Sequence, residues 1–166
     1  AVLDGRGGGG GARALGAALR RVLGHAGDRV ALDVAYRGDQ PGLALHRAAL
    51  FHCLWQAVQR SGVTLLTGLG ATGIIDRPAE INLRTTGGDL GPFDLIVDAS
   101  GAGAALSPLQ ARPLPFGAVW AHVPWPDTDL PPDQLRQRYH AASRMAGILP
   151  IGRLPGDDRP RAAVFW

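Results

Sequence analysis

The chain has one cysteine and no lysine among its 166 residues. A single thiol cannot form an intramolecular disulfide, so the fold must depend on a hydrophobic core, which a chain of this length can bury. Cys53 lies in an apolar helical pattern, where a lone thiol is more often a packing residue than a nucleophile. This cysteine usage indicates a reducing compartment, and we expect a cytoplasmic protein.

A clustered basic surface and long apolar runs are also missing. All 17 basic residues are arginines, and Arg20-Arg21 is their only adjacent pair, whereas a nucleic-acid interface needs clustered charge with interleaved aromatics. No apolar run approaches the ~18 residues of a membrane span, and no charged start followed by an apolar core marks a signal peptide. We therefore expect neither a nucleic-acid nor a membrane partner.

Recognisable catalytic and metal-binding patterns are absent as well. The histidines show no ligand spacing, since His46 and His52 would face different sides of a helix. Ser100 lacks the G-x-S-x-G frame and the partners of a hydrolase nucleophile. We predict no metal site, and no catalytic residue can be assigned from the pattern.

The most informative stretch that is present runs from Phe93 to Ser107, FDLIVDASGAGAALS. Its apolar run, Leu95-Ile96-Val97, stops at small residues, which is typical of a buried parallel strand. Ligands of α/β sheets bind beyond the carboxyl ends of the strands. The segment from Asp98 to Gly103 is therefore the first candidate site.

A glycine-rich segment opens the chain. Gly5-x-Gly7-x-x-Gly10 satisfies a nucleotide-binding fingerprint, but six glycines in the seven positions 5–11 match such a pattern by chance. A flexible linker is favoured over a nucleotide site, and a helix could follow at 12–23.

The remaining elements are predicted from periodicity. The most clearly marked helix is 47–60, with an apolar stripe of Leu50, Leu54 and Val58, supplemented by Phe51, Trp55 and Ala57, and a stop at Ser61-Gly62. The other predictions are an antiparallel hairpin over 19–37, a strand at 63–67, a meander through 70–75 and 81–86, a strand over 112–125, a Pro-rich turn at 127–133, a helix over 134–143, and strands at 147–151 and 162–166.

Two further features leave alternatives open. Trp120 and His122 share one strand face, which could extend to Trp125, and a core role is favoured there over a substrate cavity. The chain begins without methionine and ends inside an apparent strand, which would leave an unpaired sheet edge. From this we expect a fragment of a longer protein.

Two segments carry a resemblance to a known family. LALHRAALFHCLWQAVQRSGVTLLTG and FDLIVDASGAGAAL resemble the FAD-dependent aromatic hydroxylases of the para-hydroxybenzoate hydroxylase type. In that family an arginine heading a helix reaches the flavin, and a strand ends at an Asp-Gly pair near the pyrophosphate. The resemblance implies Arg47, Ser100 and Gly101 as cofactor-binding residues, although serine here replaces the family's aspartate.

The resemblance also implies the architecture. We expect an α/β (α+β) chain with part of a Rossmann-like FAD/NAD(P)-binding domain and a β-rich substrate-binding sheet. Residues 1–18 would be a flexible start, 19–46 strands of the substrate domain, 47–111 part of the FAD-binding domain, and 112–166 a truncated substrate-domain sheet. The family's N-terminal fingerprint is reduced to the glycine run and its second FAD motif is missing, so the chain alone should bind FAD weakly.

The function implied by the resemblance is NAD(P)H- and O₂-dependent hydroxylation of a small aromatic or apolar substrate by an FAD enzyme. A flavin-dependent halogenase or reductase is the enzymatic alternative. A truncated or decayed piece without cofactor is the non-catalytic one. The oligomeric state and the choice between NADH and NADPH stay open.

Overall fold

The structure, a computed structural model, describes residues 9–78, 80–104, 106–108 and 112–166. It has the mixed α/β composition predicted, with strands predominating. Gly5 and Gly7 of the glycine-rich segment, which the sequence favours as a flexible linker, lie outside the described residues. The elements are α1 (Gly9–Leu15), β1 (Ala17–Leu19), β2 (Arg21–Ala26), β3 (Arg29–Ala35), β4 (Gly42–Ala44), α2 (Arg47–Arg60), β5 (Ala71–Arg77), β6 (Glu80–Thr85), β7 (Gly88–Phe93), a 3₁₀ turn (Gly101–Gly103), β8 (Trp120–Pro124), β9 (Gln134–His140), β10 (Arg144–Pro150) and β11 (Arg161–Phe165).

The chain divides into two compact units. The first combines the residues up to Val63 with Gly117–Trp166, and the second is Thr64–Phe116. The first unit contains both helices and a six-stranded sheet of order β3-β2-β9-β10-β11-β8, and the second contains the three-stranded sheet β5-β6-β7.

The predicted hairpin over 19–37 is confirmed as β2 and β3. The two strands pair antiparallel around Gly27, whose φ of +60° lies in the left-handed region that favours glycine. The Arg21 Nε donates to Asp33 Oδ1 across the pair at 2.7 Å. The outer strand β3 lies at the sheet edge and exposes most of its residues, including the alternating apolar Val30 (51% exposed) and Val34 (49%), so the half-buried face that the alternation predicts is not seen on this strand.

The predicted helix over 134–143 is wrong, because these residues form β9. The strand pairs in parallel with β2 and antiparallel with β10. The chain turns between them at Ala141, which has a φ of +49°. Two flanking strands satisfy the β9 backbone groups on both sides, and this tertiary pairing outweighs a weak helical propensity.

The predicted helix over 12–23 is also wrong. Helix α1 ends at Leu15, and β1 then pairs with β4. A side chain at Gly16 would lie 2.5 Å from Leu43 Cδ1 and 3.0 Å from the Ala44 carbonyl oxygen. Because Gly16 has no side chain, β4 can approach the chain closely at this point, where α1 ends and β1 begins.

Helix α2 has the predicted bounds but a different buried face. Its buried residues are Ala49 and Cys53, four positions apart, whereas Phe51 is 65% and Leu54 46% exposed. Small side chains allow α1 to approach closely, and a Cβ on Gly11 would lie 3.5 Å from the Cys53 sulfur. The prediction that Cys53 packs in the interior is confirmed, and of the predicted apolar stripe Leu50 and Val58 are partly buried while Leu54 is exposed.

The second unit contains the predicted meander. Strands β5, β6 and β7 pair in sequence and antiparallel. The Thr85 hydroxyl organises the turn between β6 and β7, because it donates to the Gly88 carbonyl at 2.7 Å and accepts from the Gly87 N–H at 3.2 Å.

Three predicted strands are wrong in whole or in part. The apolar run Leu95-Ile96-Val97 is not a strand, and Leu95 is 75% and Val97 74% exposed. Residues 63–67 likewise form no strand. Neither run pairs with a strand among the described residues, and an unpaired strand leaves its backbone to water. The predicted strand over 112–125 is shortened to β8, since Pro113 and Pro115 have no N–H for a ladder.

The C-terminal strands are confirmed, with one correction. Strand β11 lies between β10 and β8 rather than at an unpaired edge. The predicted Pro-rich turn before β9 is present. None of the helices in the described residues is long and apolar enough to cross a membrane.

Candidate functional site

The first candidate residue, Arg47, is the opening residue of α2. The preceding His46 is extended, with φ −60° and ψ 134°, and its Nδ1 accepts a hydrogen bond from the Ala48 N–H at 3.0 Å. This is helix capping by an imidazole, which satisfies one of the free N–H groups at the helix start. The His46 N–H donates to the Ile151 carbonyl at 2.8 Å, so the cap is tied to the end of β10.

The start of α2 lies against one face of β8. Trp120 and His122 are two residues apart on this strand and therefore point to the same side. The His46 and His122 rings meet edge to face at 4.4 Å between centroids, with an interplanar angle of 60°. The Arg47 guanidinium carbon lies 5.8 Å from the centre of the Trp120 ring, within cation–π range. The predicted shared face of Trp120 and His122 is confirmed, whereas Trp125 lies one residue beyond the end of β8.

Trp120 is not a core residue, because it is 61% exposed. The core interpretation favoured from the sequence is therefore wrong for this side chain. Its indole faces the Arg47 side chain at the surface instead.

The electrostatics at the helix start favour a neutral imidazole. Burial lowers the pKa of His46, and the nearby His122 and Arg161 lower it further. Because Nδ1 accepts from the Ala48 N–H, the single proton of the neutral ring is assigned to Nε2. Protonation at Nδ1 would remove the cap and add a positive charge at the positive end of the helix dipole.

Arg161, on β11, belongs to an ion-pair group beside this face. It donates to Asp157 Oδ2 at 2.9 Å, and both side chains are about four-fifths buried, being 19% and 20% exposed. The guanidinium of Arg159 donates to the same carboxylate, at 2.9 Å to Oδ1 and 3.0 Å to Oδ2. Hydrogen bonds from Arg159 and Arg161 hold the pKa of Asp157 well below its ordinary value.

The second candidate region, around Ser100 and Gly101, lies in the second unit. The Ser100 hydroxyl and N–H both donate to Asp98 Oδ1, at 2.6 Å and 3.0 Å. These hydrogen bonds lower the pKa of Asp98. Gly101 has a φ of +81°, and nothing lies within 4 Å of where its Cβ would be. A ligand could therefore approach the Gly101 backbone closely.

The predicted cofactor-binding residues thus lie in two different compact units of the chain. Arg47 lies in the first unit, and Ser100 and Gly101 lie in the second. That they bind one flavin stays a prediction from the family resemblance. No group of three or more His, Cys, Asp or Glu side chains that could hold a metal ion occurs in the part of the chain that the structure describes.

Sequence reasoning missed the contacts of His46 and Trp120. Histidine is not among the favoured N-cap residues, so its position before a helix gives only a weak signal. The partner of Trp120 lies more than 70 positions earlier in the chain, and no local pattern reports such a pairing.

The fold of the chain is similar to part of a solved oxygenase structure. Solved structures of 2-methyl-3-hydroxypyridine-5-carboxylic acid oxygenase match it: a variant of that enzyme at TM-score 0.68, and its tetrameric form at 0.67, each with 16% sequence identity. The matches cover 99% of this chain, which spans about 45% of the length of those proteins. At this identity the likeness concerns the fold. No family model matches the chain, and no curated protein matches it by sequence.

Proposed function

We propose that the protein containing this chain is an FAD-dependent monooxygenase that uses NAD(P)H and O₂ to hydroxylate a small aromatic or apolar substrate. The observation that carries this proposal is the fold, which follows an aromatic-acid oxygenase over 99% of the chain. The resemblance of the Arg47 and Ser100 segments to FAD-dependent aromatic hydroxylases points the same way. We further propose a cytoplasmic protein whose partner is a small-molecule substrate rather than nucleic acid or membrane.

The residues present fit an FAD in part. When bound, FAD supplies the electron-transfer and oxygen chemistry of such enzymes, and the protein binds and orients it. Arg47 fits this role because its guanidinium is exposed, permanently charged and forked, as suits a phosphate or an electron-rich ring. Gly101 fits because its open Cβ position permits close backbone approach.

Ser100 fits less well in the observed arrangement. Both of its donors are engaged by the Asp98 carboxylate, so an anionic pyrophosphate would have to displace that carboxylate to reach them. This observation favours the second candidate function, a non-catalytic piece that binds no cofactor. A flavin-dependent halogenase or reductase stays the alternative on the same scaffold.

The proposal predicts that Arg47→Ala weakens FAD binding in the intact protein. Loss of a charged contact to FAD should raise the Kd by roughly 10- to 150-fold, since hydrogen bonds to charged groups contribute about 1.5–3 kcal/mol. The measurement is titration of the apoprotein with FAD, followed by quenching of flavin fluorescence. Arg60→Ala, at the opposite end of α2, is the matched control and should leave the Kd unchanged.

Two outcomes would count against the monooxygenase. A purified intact protein without flavin absorbance that cannot be reconstituted with FAD would favour the non-catalytic alternative. Flavin reduction by NAD(P)H without substrate-dependent oxygen uptake would favour the reductase. An unchanged Kd in Arg47→Ala would show that this arginine is only a solvated residue at a helix start.

A further inference from the structure

We infer that Trp120 is a positioning residue for Arg47, whose guanidinium it holds over the face of its indole ring. The inference rests on the proposed function only for the identity of the ligand that Arg47 would bind. The contact itself lies within the first unit and stands on its own geometry.

The indole is the contact that orients the Arg47 head group. The guanidinium carbon lies 5.8 Å from the ring centre, and Arg47 makes no ion pair or side-chain hydrogen bond among the described residues. A long arginine side chain at an exposed helix start otherwise samples many rotamers, and ordering it on binding would cost conformational entropy. A pre-placed guanidinium lowers that cost.

The backbone that carries Trp120 is itself fixed. Trp120 pairs with Phe165 on β11, and the adjacent Val119 and Trp166 exchange two backbone hydrogen bonds of 2.9 Å each. On the helix side, the His46 cap and its contact with His122 fix the residue immediately before Arg47. Both partners of the cation–π pair are therefore attached to rigid elements.

An aromatic partner suits an arginine that must also bind a ligand. A cation–π contact with the indole uses none of the guanidinium N–H groups as hydrogen-bond donors, so these groups stay available to a ligand. A carboxylate partner would occupy those donors and neutralise the charge, as Asp157 does for Arg159. Trp120 thus orients Arg47 without consuming its capacity to bind an anion or an electron-rich ring.

The test is a double-mutant cycle of Arg47→Ala and Trp120→Leu in the intact protein, read by urea unfolding and by FAD titration. In the unfolding arm, Arg47→Ala should change the unfolding constant roughly two- to fivefold more when Trp120 is present than in Trp120→Leu, the range of exposed cation–π pairs. In the FAD arm, Trp120→Leu should raise the Kd roughly two- to fivefold, and Trp120→Phe should restore most of the affinity because it keeps an aromatic face. Trp166→Leu is the matched control, since Trp166 is similarly exposed at 58%.

The outcomes separate this inference from the proposed function. A coupling of zero within error, or a Kd for Trp120→Leu no higher than that of Trp166→Leu, would overturn the positioning role. Coupling in the unfolding arm together with an FAD affinity that Arg47→Ala leaves unchanged would support the contact and show that Arg47 does not bind FAD, whereas an intact protein that binds no FAD at all would reject the proposed function.

Discussion

At the residue scale, the protonation state of the His46 imidazole determines whether this side chain can cap the start of α2. Its Nδ1 caps the helix only in the neutral form, and burial beside His122 and Arg161 lowers its pKa. A histidine with a lowered pKa in the folded state contributes stability that is fully present above its unfolded value. That contribution is lost as the pH falls through the lowered folded value.

We predict that wild-type stability declines as the pH falls below about 6.5, the ordinary histidine pKa, partly through His46. His46→Ala should cost about 1 kcal/mol at pH 8 through loss of the cap, and this deficit should shrink toward pH 5. His46→Asn keeps a capping side chain that does not titrate, so it should retain stability with a shallower pH dependence. Urea unfolding across this pH range provides the measurement, and an identical pH slope in wild type and His46→Asn would contradict it.

The candidate residues were only partly predictable from the sequence. Arg47 was identified through the family resemblance, and only the helix that it opens is visible locally from the periodicity. The engagement of Ser100 by Asp98 is also local, over two residues, but which rotamer the serine adopts is not encoded in spacing. The indole under Arg47 depends on a pairing of distant segments, which periodicity does not report.

At the element scale, the end of β10 meets the end of α1 at Gly152. This residue has a φ of +73°, and a Cβ there would collide with the Leu15 carbonyl oxygen and the Gly16 Cα. The Arg153 N–H donates to the same Leu15 carbonyl at 2.8 Å, and its side chain donates to the Ala14 carbonyl at 2.9 Å. The glycine therefore permits a backbone junction between a helix and a sheet.

We predict that Gly152→Ala is much more destabilising than Gly156→Ala. Both glycines have a positive φ, but nothing lies within 4 Å of the Cβ position at Gly156. Gly156→Ala should cost about 1–2 kcal/mol for the backbone conformation alone, whereas Gly152→Ala adds a clash with backbone that cannot move easily. Thermal and urea unfolding of both variants test this, and equal losses would refute the junction.

The elements that the sequence predicted are those whose partners are close along the chain. The β2–β3 pairing, α2 and the β5–β6–β7 meander are each formed between segments that are neighbours along the chain. Strand β9 was missed because one of its partners, β2, is more than 100 residues earlier. The run Leu95–Val97 was predicted as a buried strand from composition alone, but burial also requires neighbouring strands, which composition cannot supply.

At the scale of the whole molecule, exposed segments without regular structure lie at the two ends of the second unit. Leu65 and Leu66 on one side and Phe116 on the other are 48%, 55% and 74% exposed, respectively. Exposed irregular backbone is the preferred substrate of proteases, whereas paired strands resist cleavage.

We predict that limited digestion of this chain cuts first near these segments. Thermolysin should cleave at Leu65 or Leu66, and chymotrypsin after Phe116, before either cleaves within β9, β10 or β11. Mass spectrometry of the early fragments identifies the sites. First cuts inside the six-stranded sheet would show that its strands are less protected than their pairing implies.

The parallel pairing of β2 with β9 has a consequence for how the protein is made. Strand β2 pairs along Arg21–Ala26 with residues 134–139 of β9. Strand β2 is therefore synthesised more than 100 residues before this partner strand. The meander of the second unit, in contrast, is complete as soon as Phe93 has been translated. During synthesis the later-numbered unit can therefore form its three-stranded ladder before β2 acquires its second partner strand.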